Sequence, residues 1–158
     1  MAKKQKGPKV KSTPTAPDSI RVVVDPNAWK ADQARFHFSG FDIDSEWGKG
    51  ALISCDWRDF LIKIEHFSTM TWAEILKAAG SVRSGTNNHE IEINRLSKKA
   101  KDRLKELAHD TDTVFSLHMT GSLRLYGIRD RSVCKALWVD PWHGDPNRAV
   151  CPSSKRHT

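Results

Sequence analysis

The 158-residue chain has no run of eighteen apolar residues, and its lysine-rich start is not followed by an apolar stretch. The sequence therefore predicts neither a membrane span nor a secretory signal, and the expected compartment is cytoplasmic. Cysteine is sparse: Cys55, Cys134 and Cys151 are widely spaced and form no C-x-x-C pair. That argues against a disulfide framework and against a cysteine-based zinc site. There is no glycine-rich phosphate loop of the G-x-x-x-x-G-K type and no G-x-S-x-G nucleophile turn. The seven histidines include no H-x-H or H-x-x-x-H pair, and Asp140, His143 and Asp145 make only a loose D-x-x-H-x-D cluster. A metal site would have to be assembled from distant segments, so no metal or other cofactor is implied; a hydrolase built on Asp140 and His143 is the minor reading.

What is present is enough for one domain with tails, since 38% of the residues are apolar. The formal charge is +7, and its placement decides its meaning. Residues 1–20 contribute +4 and residues 144–158 contribute +2, leaving +1 for the body. An acidic partner such as RNA is thus suggested by the ends, where release of counterions gives attraction that falls with salt. The Lys, Pro and Thr of residues 1–17 read as a disordered basic tail, residues 18–143 as a single domain, and residues 144–158 as a flexible basic tail.

Within the body, "SIRVVVD" reads as a short strand ended by Asp25-Pro26, and "ARFHFSGFDID" as a second extended segment. Asp56 can cap a helix in which Trp57, Phe60, Leu61 and Ile64 fall at i, i+3, i+4 and i+7 as one apolar stripe. Thr71 and Glu74 form a capping box for a helix over Trp72–Ala79, stopped by Gly80 and followed by a loop. "HEIEIN" alternates as a strand, and Ser97 can cap the lysine-rich helix after it. Three segments, 114–119, 123–129 and 133–139, are joined at Thr120-Gly121 and Asp130-Arg131 like hairpins and predict an antiparallel meander. The fold class is α+β, an antiparallel sheet with helices packed on one face.

Alternation puts Arg124 and Tyr126 on one face of the middle strand. With His118 or His143 from a neighbouring strand end they would suit RNA: guanidinium for phosphate, ring for stacking, imidazole for proton transfer. They fit equally as ordinary half-buried strand residues. Lys98, Lys99, Lys101, Arg103 and Lys105 are the body's one local basic excess, either a solvated helix face or a phosphate-contacting surface.

A strand, a basic helix and a meander ending "RLYGIRDRSVCKALWVDPWH" resemble, over residues 89–143, the C-terminal layout of the RelE/HigB-like toxins of bacterial toxin–antitoxin systems. The resemblance implies a metal-independent endoribonuclease that cleaves mRNA, commonly at the ribosome, with a small acidic antitoxin as partner. It would place Arg124, Tyr126 and His143 in the catalytic site, with Lys98, Lys99 or Arg103 contacting RNA. The chain departs from that pattern in its extra helical segment from Asp56 to Ala79 and in the acidic "VDPWHGD". Those departures suit a non-catalytic relative that only binds a partner, in which the same residues are structural and the basic tail supplies non-specific attraction.

Overall fold

The structure, a computed structural model, describes residues 23–78 and 87–152. The basic tail at 1–17, most of the first expected strand, the Gly80 stop, the loop after it and the chain beyond Pro152 lie outside these residues. Val23 and Val24, at the end of that expected strand, are exposed and in no strand.

In chain order the elements are β1 (Arg35–His37), α1 (Lys49–Ser54), α2 (Trp57–Ser68), α3 (Trp72–Lys77), β2 (His89–Glu92), α4 (Lys98–Glu106), β3 (Thr113–Thr120), β4 (Leu123–Asp130) and β5 (Val133–Asp140). Start signals are realised as read. Asp56 accepts hydrogen bonds from the backbone N–H groups of Arg58 and Asp59, and Thr71 and Glu74 close a reciprocal capping box. Ser97 caps α4 by accepting from the Ala100 N–H at 3.2 Å. The short α1 gave no signal, because six residues with only Ala51 buried carry no apolar period.

The strands form one sheet in the order β1-β5-β4-β3-β2. The expected meander is there, but the sheet is mixed: β1 runs parallel to β5, pairing Arg35 with Val133. A local hydrophobic pattern cannot reveal a pairing across so much chain. The hairpin turns fall one residue later than expected, at Gly121-Ser122 and Arg131-Ser132. Each begins with a positive φ, +52° at both Gly121 and Arg131, free for the glycine and costing about 1 kcal/mol for the arginine.

Nor do the helices share one face. Phe60 and Phe67 of α2 and Trp72 and Ile75 of α3 pack with Phe115, Leu117 and Leu125. Ala100 and Leu104 of α4 pack instead with Val114, Tyr126, Leu137 and Trp138. Because neighbours such as Val114 and Phe115 point to opposite sides of a strand, the sheet is covered from both sides. A bulge opposite Gly127 leaves Leu137 between the pairs Ala136–Gly127 and Trp138–Tyr126, so two consecutive side chains, Leu137 and Trp138, join the α4 side.

Two contacts fasten that layer. The buried Asp42 carboxylate accepts from Arg103 at 2.8 and 2.6 Å and from the Trp138 indole N–H at 2.9 Å. The segment after residue 143, expected to be a flexible tail, instead packs down: Ala149, Val150 and Cys151 are buried. The Ser97 N–H donates to the Val150 carbonyl at 2.8 Å, and the Trp47 indole to that of Arg148 at 2.8 Å. Isolated apolar residues among prolines and charges gave no periodic sign of this docking. No helix of the described residues is long and apolar enough to cross a membrane.

Candidate functional site: a cationic end of the sheet

Residues directly opposite one another in adjacent strands project to the same face. The register sets Arg124 between His118 and Asp140, and Tyr126 between Ser116 and Trp138, with His89 beyond Ser116. The helix α4 and the docked C-terminal segment cover the Tyr126 end of this row. Arg124, His118 and His143, at the other end, are only half-buried.

His143 reaches this end through its turn. Asp140 Oδ1 accepts from the Trp142 N–H at 2.8 Å, and Ser122 Oγ donates to the Pro141 carbonyl at 2.7 Å, binding the segment after β5 to the β3–β4 turn. The guanidinium of Arg148 stacks on the Trp142 ring at 3.8 Å. Asn88, buried under β2, accepts from the His118 backbone N–H at 2.9 Å and donates to the Ile75 carbonyl, holding His118 in place.

Arg124 makes no ion pair with any described residue. Its Nη1 donates only to the Gly121 and Leu123 carbonyls, at 2.8 and 3.1 Å. Asp140 lies across from it, yet both Asp140 oxygens already accept backbone N–H groups, of Trp142 and of Val150. Burial lowers the guanidinium's pKa, with Tyr126 and Asp140 opposing, and the group stays a cation. Burial followed by the charge of Arg124 lowers His118, whose Nε2 lies 3.1 Å from the Gly121 carbonyl. Burial, then Arg124, His118 and His89, push His143 down to about 4, and its Nδ1 is buried without a hydrogen-bond partner among the described residues. At neutral pH the end of the sheet therefore holds one fixed cation and two uncharged imidazoles. It can seat an anion and accept a proton.

That depression has a sign for stability. A histidine that resists protonation in the fold contributes stability above its unfolded pKa of about 6.5, lost as pH falls towards about 4. Asp140, whose carboxyl burial raises, acts oppositely, so the informative quantity is a difference between variants. The melting temperature of the parent should fall more steeply than that of His143→Gln between those pH values. Parallel melting curves would remove His143 from this role.

Of the residues singled out from sequence, Arg124 lies near enough to His143 for its charge to lower the imidazole, with His118 directly opposite Arg124 across the strands. Tyr126 is different: its ring is fully buried, its hydroxyl lies beside Ser116 on the neighbouring strand, and burial followed by Asp140 pushes the phenol well above its ordinary pKa. Alternation gave its face and not its cover, so it is core beneath the site and offers no stacking surface. The basic helix is largely neutralised. Lys98 pairs with Asp102 at 2.6 Å, Lys99 with Glu46 at 3.3 Å, and Arg103 with Asp42 and Glu106. Lys101 Nζ reaches the Asn94 carbonyl at 3.5 Å, and Lys105 has no ion pair among the described residues. Asp145 caps its own turn by accepting from Asn147 and Arg148, and no described group of three His, Cys, Asp or Glu side chains is placed to hold a metal. Cys134, buried, has its thiol pushed up to about 12, which removes it as a thiolate nucleophile.

The fold and this face define an α+β domain with a cationic, imidazole-bearing sheet end. Comparison with protein-family models, with curated proteins and with solved structures finds no match.

Proposed function

We propose that the protein engages RNA on the Arg124 end of the sheet and cleaves it without a metal, as a RelE-like endoribonuclease would. The observation that carries the reading is Arg124 itself: a half-buried guanidinium unpaired by carboxylate among the described residues, flanked by two imidazoles. The order β2, α4, then the β3–β5 meander supports the likeness to that family, as do the basic ends of the chain, which would add salt-dependent attraction.

RNA brings its own nucleophile, so the site needs no reactive serine or thiol. His143, uncharged, takes the proton as the ribose 2′-oxygen bonds to phosphorus. Arg124 neutralises the charge growing on the phosphate oxygens. The bond to the 5′-oxygen breaks as that oxygen takes a proton from His118, whose pKa the bound phosphate raises. The products are a 2′,3′-cyclic phosphate and a 5′-hydroxyl.

The test is to incubate the full chain with single-stranded RNA and with DNA of the same sequence in excess chelator. Cleavage of the RNA alone, leaving cyclic phosphate ends, is the expected result. RNA bound and left whole would favour the second reading, a non-catalytic nucleic-acid-binding protein, which the burial of Tyr126 suits. RNA neither bound nor cut would end both.

A further inference from the structure

The helix α2 buries Phe60 and Phe67 and leaves much of its apolar surface outside. Trp57 is 45% exposed, Leu61 60% and Ile62 54%. Trp57, Leu61 and Ile64 fall at i, i+4 and i+7, so they form a line down the helix beside its buried stripe. At the start of that line the chain opens an apolar cleft of about 320 Å³, lined by Phe38, Phe41, Ile43, Leu52, Trp57 and Phe60. Ile43 and Ile53, exposed by 56% and 72%, extend the same surface. An apolar patch of this breadth on one side of a domain marks a contact surface.

The charges beside the line indicate what covers it. Arg58 and Glu65 stand seven residues apart, two helical turns, and so on the same flank of the Trp57–Leu61–Ile64 line. Neither has an ion-pair partner among the described residues. Their positions are symmetric about the midpoint between Leu61 and Ile62. When two copies of such a helix pack antiparallel about a two-fold axis through that midpoint, like flanks face each other. Each Arg58 then meets the other copy's Glu65, and Leu61 and Ile62 fill the centre. A parallel two-fold pairing would carry this flank to opposite sides of the seam in the two copies, and Arg58 and Glu65 would not meet.

We infer that the α2 face is a self-complementary docking surface for a second copy of this chain, packed antiparallel about a two-fold axis between Leu61 and Ile62. The interface is isologous and closes on itself, as two-fold dimers do. The helix alone spans about 18 Å, short of the roughly 800 Å² per partner of a standard interface, so Phe38, Ile43 and Ile53 have to join the contact. The helix packs on the side of the sheet opposite Arg124, with Lys63 near enough to His118 for its charge to act there.

Sedimentation velocity on the full chain over a range of concentrations tests this without reference to RNA. The parent should pass from monomer to dimer as concentration rises, and Leu61→Lys, at an exposed position, should stay monomeric with an unchanged circular dichroism spectrum. Arg58→Glu and Glu65→Arg should each raise the dissociation constant about tenfold, and the double reversal should restore it to within about threefold. Those two reversals decide the matter even where Leu61→Lys does not fold. A parent that is monomeric throughout overturns the inference, as does a dimer indifferent to Leu61→Lys or a double reversal weaker than either single change.

Discussion

Trp72→Ala is expected to lose about 3–5 kcal/mol of stability, the range for a large buried aromatic replaced by alanine. Trp72 is 0% exposed and packs edge-on against Phe115 at 5.2 Å and Trp29 at 6.2 Å. Its indole N–H donates to the Ser132 carbonyl at 2.8 Å, which ties α3 to the β4–β5 turn. Truncation opens a cavity between α3 and the sheet and orphans that carbonyl. Set against the total of about 5–15 kcal/mol typical of a domain, the loss is about a fifth at the least. Urea denaturation of parent and variant measures it through the transition midpoint. A shift worth less than about 1 kcal/mol would show that the surrounding rings collapse into the space.

The second large effect concerns activity. Arg124→Ala should keep the parent's melting temperature to within a few degrees and lower RNA cleavage by about a hundredfold or more, the scale on which one preorganised charge contact acts. Arg124→Lys should recover only part of that loss, because an ammonium keeps the charge and gives up the planar fork. His118→Gln should lower turnover strongly and weaken RNA binding only modestly, since the phosphate that raises the imidazole's pKa is held the more tightly by its protonated form. Cleavage unchanged in Arg124→Ala would move the reaction away from this end of the sheet, whatever the folding of the variant.

Much of this was legible where the cause is local. The Asp56 cap, the Thr71–Glu74 box and the period-two alternation of β3 and β4 each act within a few residues and appear as read, whereas the alternation of β5 breaks at the bulge beside Leu137. What depended on distant chain was not legible. The parallel β1–β5 pairing brings residues 35 and 133 together, and the Asp42–Arg103 pair spans 61 positions. Arg103, which its spacing puts on the buried side of α4, therefore counted only as one more cation of a basic helix, when two of its nitrogens are bound to a buried carboxylate. The α2 stripe shows the same limit from the other side: the spacing of Trp57, Phe60, Leu61 and Ile64 gives a face, and only the packing tells that Phe60 turns inward while Leu61 stays out. At the site, alternation paired Arg124 with Tyr126 correctly, whereas the direction of His143 rests on a turn fastened by Asp140 and Ser122.

The docking of the C-terminal segment also governs when the chain can finish folding. Trp47 bonds to Arg148 across 101 positions, Asp42 to Trp138 across 96, and β1 can pair only after β5 exists. During synthesis at about 5–20 residues per second, the early segments wait several seconds for their partners to be made. The sheet is thus completed only once β5 has been made, and with it the cationic end carried by β3, β4 and the turn after β5.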